Sequence, residues 1–256
     1  MNGALMSTEK IYNGVLRVLL KRVVYDSSLE HLDVGAGTGD LISLLATNFR
    51  VNSQACDYHT ERFALKNVPI KRIDLNNESF PYADESFNII TSSEVIEHLE
   101  NFRSVLREMR RILKEDGILV LTTPNVLNVN SRIRYLVSGF ANLFGPLPVK
   151  HDEVYSCGGH INPVPFFYIA HALADADFAD IQLDIDKVQR SSVLRFVIFW
   201  PVIMFGWIRF LIRENKKYHT ISKANSAFVN MHFSPKILFG RTVIVSARKN
   251  CMDIKG

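Results

Sequence analysis

The stretch "LEHLDVGAGTGD", residues 29–40, decides the fold class of this chain. Its first six residues carry Leu29, Leu32 and Val34 and read as a short strand. They run straight into Gly35, Gly37 and Gly39, and a helix opens at Asp40. Glycine lets the backbone turn sharply and approach a ligand, and parallel α/β sheets bind ligands at the carboxyl ends of their strands. A plain strand-to-helix turn needs no run of three alternating glycines. The spacing is G-x-G-x-G, whereas a nicotinamide-dinucleotide loop has G-x-G-x-x-G. Asp57 closes the next apolar run, twenty positions after Gly37. A carboxylate there either caps a helix or accepts two hydrogen bonds from a ribose diol, and the preceding glycine loop favours the ribose.

Outward from this loop, short apolar runs alternate with helical patterns. Residues 51–56, 70–73, 87–92 and 117–123 read as strands, and residues 11–24, 40–49, 60–67 and 102–114 as helices. A further helix is predicted over 165–178, with strands over 180–188 and 239–249. Such alternation implies right-handed crossovers, hence an α/β fold. The expectation is a Rossmann-like, seven-stranded, mostly parallel sheet with helices on both faces, forming one domain over residues 1–256. Residues 125–160 mix helical stretches with Gly and Pro and read as a substrate-side insertion. A second, apolar helical insertion occupies 191–235, before the last strand.

The 256 residues are 47% hydrophobic and 22% charged, which is globular composition and excludes a disordered chain. A net charge of +4 is too mild to imply nucleic acid, so no such partner is expected. The cysteines Cys56, Cys157 and Cys251 are far apart and form no C-x-x-C, so neither a disulfide framework nor a thiolate zinc site is indicated. The opening residues "MNGALMSTEK" lack the basic and apolar regions of a signal peptide, which predicts a cytoplasmic chain.

Four segments taken in order carry a resemblance: "LDVGAGTGD", "ACDYHTERF", "IDLNNESFPYADESFNIITSSEVIEHL" and "EMRRILKEDGILVLTTPN". They are similar to the successive motifs of the class I S-adenosylmethionine-dependent methyltransferases, densely over about residues 25–125. The similarity is greatest to the branch holding ubiquinone-type O-methyltransferases and methyltransferases of cell-surface glycan clusters. "HINPVPFFYIAHALADADF" continues it more loosely. The resemblance implies S-adenosylmethionine as methyl donor. Asp33, Gly35, Ala36, Gly37 and Gly39 would line its methionine end, and Asp57 would hold the ribose. Tyr58 would lie against the adenine, Asp74 would reach the adenine amino group with the Leu75 backbone, and Ser93 and Glu94 would sit beneath the sulfonium. Asn88 and Asp177 depart from the family pattern, which has Asp and Gly there, and neither falls at the expected cofactor site.

In "SSEVIEHLE", Glu94, Glu97 and His98 have i, i+3, i+4 spacing, one face of a helical turn. Three readings stand. Glu94, Glu97 and His98 with His160 of "CGGHINP" would form a divalent-metal clamp, as some relatives use this pattern for Mg2+. Without metal, His98 or His160 would serve as general base, with Glu94 beside the reacting centre. Otherwise the acids only favour a helix N-terminus and His98 is packing.

Residues 196–208, "FVIFWPVIMFGWI", hold thirteen uncharged residues and both tryptophans, Trp200 and Trp207. As a helix they span about 20 Å, short of the roughly 30 Å of a bilayer core, and Pro201 and Gly206 are expected to interrupt them. A full span, an active-site lid, a dimer contact and a helix dipping into one leaflet are all compatible with this. Basic residues flank the stretch, and the span 193–217 is the predicted membrane contact, at a cytoplasmic face. Glycan-cluster methyltransferases often carry a similar apolar insertion before the final strand, and that resemblance implies a lipid-linked or glycan acceptor. A soluble small-molecule acceptor with a lid, and a non-catalytic cofactor-binding scaffold, are the alternatives.

Overall fold

The structure is a computed structural model and describes residues 2–23, 28–147 and 159–250. Cys157 and Cys251 therefore lie outside the described residues, as does most of the insertion's second half; Cys56 is a buried free thiol. The elements are α1 (Asn2–Arg22), β1 (Leu29–Val34), α2 (Asp40–Ala46), β2 (Val51–Asp57), β3 (Ile70–Arg72), β4 (Phe87–Ser93), α3 (Phe102–Ile112), β5 (Leu113–Pro124) and α4 (Val129–Ser138). They continue with α5 (Phe166–Asp175), β6 (Phe178–Ile185), α6 (Arg190–Arg213), α7 (Ser226–Met231), α8 (Pro235–Phe239) and β7 (Thr242–Lys249).

The seven strands form one sheet in the order β3-β2-β1-β4-β5-β7-β6. Every pair is parallel except those of β7, which runs antiparallel to both β5 and β6. Strand alternation divides the core between two faces. Ile89, Val120 and Ile244 meet Val15 and Leu19 of α1 and Leu41 and Leu45 of α2. Their neighbours Ile90, Leu119, Leu121 and Val245 meet Leu106 and Met109 of α3 and Ile169 and Leu173 of α5. The strand order reverses between β1 and β4, and that switch point opens a crevice at the carboxyl ends of the strands.

Two expectations are corrected. The helix predicted over 60–67 is a single 3₁₀ turn, Thr60–Arg62, followed by extended chain from Phe63. Phe63, Leu65, Val68 and Ile70 all pack against Ala36, Ile42 and Ala55, a set that a helix would scatter around its circumference. Pro69 also biases Val68 towards extended geometry. Conversely, Pro201 and Gly206 do not interrupt α6, which runs 24 residues through both, about 36 Å at 1.5 Å per residue. An interior proline removes one backbone hydrogen bond, a cost of about 3 kcal/mol that a helix of this length absorbs.

Almost none of α6 is buried. Its inner side touches the domain through Phe196 on Phe239 and Trp207 on Phe233, with ring centroids 5.3 and 5.4 Å apart. Leu194, Val197, Ile198, Val202, Phe205 and Ile208 recur at helical spacing on the opposite side, each about half exposed or more. Beside it, α4 packs on α6 and exposes Tyr135, Leu136 and Val137.

Candidate active site

The glycine loop is held in its turn by packing behind it and by one carboxylate in front. Gly39 sits at φ 89 as the N-cap of α2, and a Cβ there would lie 2.9 Å from Phe63 and Leu65. Gly37, at φ 55, faces open space: an added Cβ would meet nothing within 4 Å. Its N–H donates to Asp57 Oδ2 at 2.8 Å, while the His59 N–H donates to Asp57 Oδ1 at 2.8 Å. Asp57 thereby pins the loop to the end of β2.

The cleft so formed is bordered by Gly35, Gly37, Asp57, Tyr58, Asp74 and Leu75 on one side and by Glu94, Val95 and His98 on the other. The Arg72 guanidinium covers the Tyr58 ring at 4.7 Å. Asp74 accepts from the Asn76 N–H and the Asn77 amide, fixing the turn after β3. Four residues named from the resemblance do not border the cleft. Ala36 is packed behind the loop on Ile42 and Ala55, Gly39 faces Phe63 and Leu65, and Ser93 buries a hydroxyl with no partner among the described residues. Asp33 lies beneath the floor at 2% exposure, accepting from Thr91 Oγ1 at 2.6 Å. Burial pushes Asp33 up to about 7 against that hydrogen bond, with the Asp57 charge adding to the rise. His31 reaches Thr91 Oγ1 at 2.8 Å, and burial pushes its imidazole down to about 3.

Beyond the cleft the acids and histidines separate. The backbone at Glu94 is left-handed, φ 57, and only Ile96–His98 form a 3₁₀ turn, so the three residues are not on one α-helical face. Glu94 accepts from Thr122 Oγ1 at 3.1 Å, and burial raises its carboxyl above the usual range. Glu97 is fully buried; Oε2 accepts from Thr123 Oγ1 at 3.0 Å, while Oε1 has no hydrogen-bond partner among the described residues. Burial, then the nearby Glu94 charge, push Glu97 well upward. The His98 and His160 rings lie edge to face, centroids 4.9 Å apart. Each gives Nδ1 to a carbonyl, His98 to Gly159 at 2.8 Å and His160 to Leu143 at 2.9 Å. A carbonyl only accepts, so Nδ1 carries a proton in both rings, and in the neutral form of His98 Nε2 keeps a lone pair. Burial pulls the His98 pKa below its ordinary value, His160 adding to the fall and the Gly159 carbonyl opposing it.

The four-residue clamp does not form. Donor atoms of Glu97, His98 and His160 lie within 4.8 Å of one another, and Glu94 is outside the group. Two imidazoles and one carboxylate do not suit Mg2+, which takes octahedral oxygen ligands. Magnesium does not fit these residues.

A second, apolar cavity of about 560 Å³ is lined by Arg132 and Tyr135 of α4, by Phe140, Phe144 and Leu147 after it, and by His160. Sequence reasoning missed it, and missed Thr122 and Thr123, which hold Glu94 and Glu97; two threonines closing an apolar strand beside that of Glu94 were the available signal. It also missed Tyr12 on α1, whose phenol is pushed up first by burial and then by the Asp33, Asp40 and Glu94 charges. No motif marks Tyr12.

A family profile described as a methyltransferase domain matches residues 9–183. Among curated relatives, a ubiquinone/menaquinone biosynthesis C-methyltransferase of Citrifermentans bemidjiense is 33% identical over 124 residues, 43% of this chain and 53% of that protein. A malonyl-[acyl-carrier protein] O-methyltransferase of Bacillus cereus is 28% identical over 137 residues, 48% of this chain and 50% of its own. The chain thus spans about half the length of the curated relatives it matches. A solved methyltransferase from Archaeoglobus fulgidus shares the fold at a TM-score of 0.58, covering 94% of both chains at 16% identity.

Proposed function

The chain belongs to the class I S-adenosylmethionine-dependent methyltransferases, and from that premise we propose that it methylates an oxygen of a lipid-linked or glycan acceptor at a membrane surface. The observation that carries this reading is α6, an apolar helix of 24 residues with an unpartnered outer face. Monomeric soluble domains rarely expose so continuous an apolar patch. Arg190 and Arg195 stand at one end, and Arg209 and Arg213 at the other, with Lys216 and Lys217 following. That arrangement suits a helix lying in one leaflet with its basic ends among anionic head groups, which are enriched on the cytoplasmic side.

Length and composition alone also qualify residues 190–218 as a span. The sheet opposes it. β6 and β7 are paired along their length, so the chain that leaves after β6 must return to the same side. The return runs through the short helices α7 and α8, with Phe233 against Trp207 in the second half of α6. A lid has no support either, because no residue of α6 borders the cofactor cleft or the apolar cavity.

Bound S-adenosylmethionine supplies a methyl group on a positively charged sulfur, already activated for in-line transfer. Gly37, Asp57, Tyr58, Asp74 and Leu75 hold it, and the open space above Gly37 fits a ligand pressed on the backbone. What remains for the chain is to orient the acceptor, exclude water and remove a proton. His98 borders the cleft with an unprotonated Nε2, oriented by the Gly159 carbonyl, and takes the acceptor hydroxyl proton there. His160 stands at the cavity side, its Nδ1 donating to the Leu143 carbonyl.

The test supplies methyl-labelled S-adenosylmethionine and the purified protein to a lysate of the source cells split into membrane and soluble fractions. Label in a solvent-extractable lipid is expected. Label confined to soluble small molecules overturns the reading.

A further inference from the structure

One cation on the acceptor side has no counter-ion among the described residues. Arg132, in the first turns of α4, borders the apolar cavity. Its Nε donates to the Leu127 carbonyl at 2.6 Å and one Nη to the His232 carbonyl at 2.9 Å. No carboxylate pairs with it among the described residues, in contrast to Arg111, bonded to both Asp84 and Glu108. Burial lowers the Arg132 pKa with no acid raising it, and its charge in turn lowers the neighbouring His232, which falls to about 4 mainly through its own burial. A half-buried guanidinium whose bonds are to neutral carbonyls retains its full charge and leaves other donors of its planar fork unused.

Around it the cavity wall is hydrocarbon: Val126, Tyr135, Phe140, Phe144 and Leu147. Tyr135, Phe140 and Leu147 are themselves exposed, and α4, which carries Tyr135, packs on α6. His160 also lines the cavity and is in ring contact with His98 of the cofactor cleft. A hydrocarbon slot joining an apolar surface to the methyl-transfer centre, with one unpaired cation in its wall, specifies an amphiphile of a particular kind.

We propose that this cavity is the acceptor subsite and that it takes a single-chain amphiphile, its hydrocarbon among Tyr135, Phe140, Phe144 and Leu147 and an anionic oxygen group on Arg132. The inference rests on the methyltransferase reading for the identity of the acceptor, but the site itself is a matter of binding. Arginine is the side chain best matched to phosphate and carboxylate oxygens, and such a pair strengthens in an apolar wall. Neutral lipids and free inorganic anions each satisfy only half of this site.

The experiment is calorimetric titration of the full chain with decyl phosphate below its micellar concentration, against decanol and inorganic phosphate, with and without S-adenosylhomocysteine. Decyl phosphate is expected to bind at least about tenfold more tightly than either comparator, the discrimination of a charged hydrogen bond. Arg132→Gln should reduce decyl phosphate to the level of decanol, and Arg132→Lys should keep part of the preference. A Cβ at Gly145 meets nothing within 4 Å, so Gly145→Trp adds bulk at the cavity wall without a clash and should weaken both amphiphiles. Equal affinity for decyl phosphate and decanol overturns the proposal, as does equal affinity for inorganic phosphate. Unchanged binding in Gly145→Trp also overturns it, placing the ligand on α6 instead. If Arg132→Gln does not fold, the comparison of ligands on the unaltered chain decides. Failure of the methylation reading would look different: no label transferred in any fraction, with decyl phosphate still bound.

Discussion

The two halves of this molecule obey different rules. From β1 to β5, residues 29–124, apolar side chains are covered on both faces of the sheet and the carboxylate of Asp57 is bonded at both oxygens. From α4 to α8, residues 129–239, the chain leaves a long helix with its apolar side uncovered and an arginine without a counter-ion among the described residues. The first half has both sheet faces closed within the chain, by α1 and α2 on one side and α3 and α5 on the other. The second has apolar surface and charge that nothing within the described residues satisfies. Cofactor recognition needs a rigid, pre-satisfied frame, whereas acceptor recognition in this reading borrows its missing half from a lipid phase.

The sharpest way to break this comparison is at the boundary between the halves. His98→Gln should lower the methyl-transfer rate by about 10²–10⁴ if its Nε2 takes the acceptor proton. The His98 pKa lies below its ordinary 6.5, so the native rate should fall as pH drops through that depressed value and stay level above it. In the variant that acidic limb should vanish. A rate profile with the same limb in both proteins removes His98 from proton transfer.

Within the cofactor half, Asp57→Ala removes two backbone anchors and the predicted ribose acceptor together. With hydrogen bonds to charged groups worth about 1.5–3 kcal/mol each, calorimetry should show affinity for S-adenosylhomocysteine at least roughly tenfold lower. Unchanged affinity would put the ribose elsewhere. In the other half, Val197→Ser, Ile198→Ser, Val202→Ser and Phe205→Ser combined should cut sedimentation with anionic vesicles about tenfold or more while leaving that cofactor affinity intact. Loss of both together would mean that α6 is structural.

Acid stability probes the floor of the cleft. His31 is fully buried and its pKa falls to about 3 in the folded chain. The unfolded chain takes up that proton near pH 6.5, so this contribution to stability is complete above 6.5 and is lost as pH falls towards 3. Asp33 has the opposite sign: raised to about 7, it favours folding at low pH and loses that contribution between about 4 and 7. Denaturant midpoints for His31→Gln should therefore depend less on pH below 6 than those of the native chain. The smallest effect belongs to Asp177, held at φ 54 where the family has glycine. Asp177→Gly should stabilise the chain by about 0.5–1 kcal/mol, read as a small rise in Tm.

Much of the frame was legible because it depends on local periodicity. The run 29–34 into three glycines, the amphipathic pattern of α3 and the alternation of β4 and β5 all foreshadow the sheet. The helix predicted at 60–67 failed because Phe63 and Leu65 answer to a distant partner, the back of the glycine loop, and not to their own spacing. Of the site, Asp57, Tyr58, Asp74 and His98 all border one cleft. The clamp of Glu94 with Glu97, His98 and His160 was misjudged because sequence spacing presumes a helix, and the left-handed turn at Glu94 rotates that carboxylate onto Thr122.

The methyl-donor family came from the resemblance of four ordered motifs; sequence pattern alone determined the class of fold and the presence of an uncharged run too apolar for an ordinary surface. These are properties of pattern and composition, which each residue carries with it. Only the tertiary structure decided that Pro201 does not end that run, that its outer face stays bare, and that Arg132 meets a hydrocarbon cavity beside His160. Those depend on what packs against a side chain: His98 meets His160, and His160 and Arg132 line one cavity, only in the folded chain.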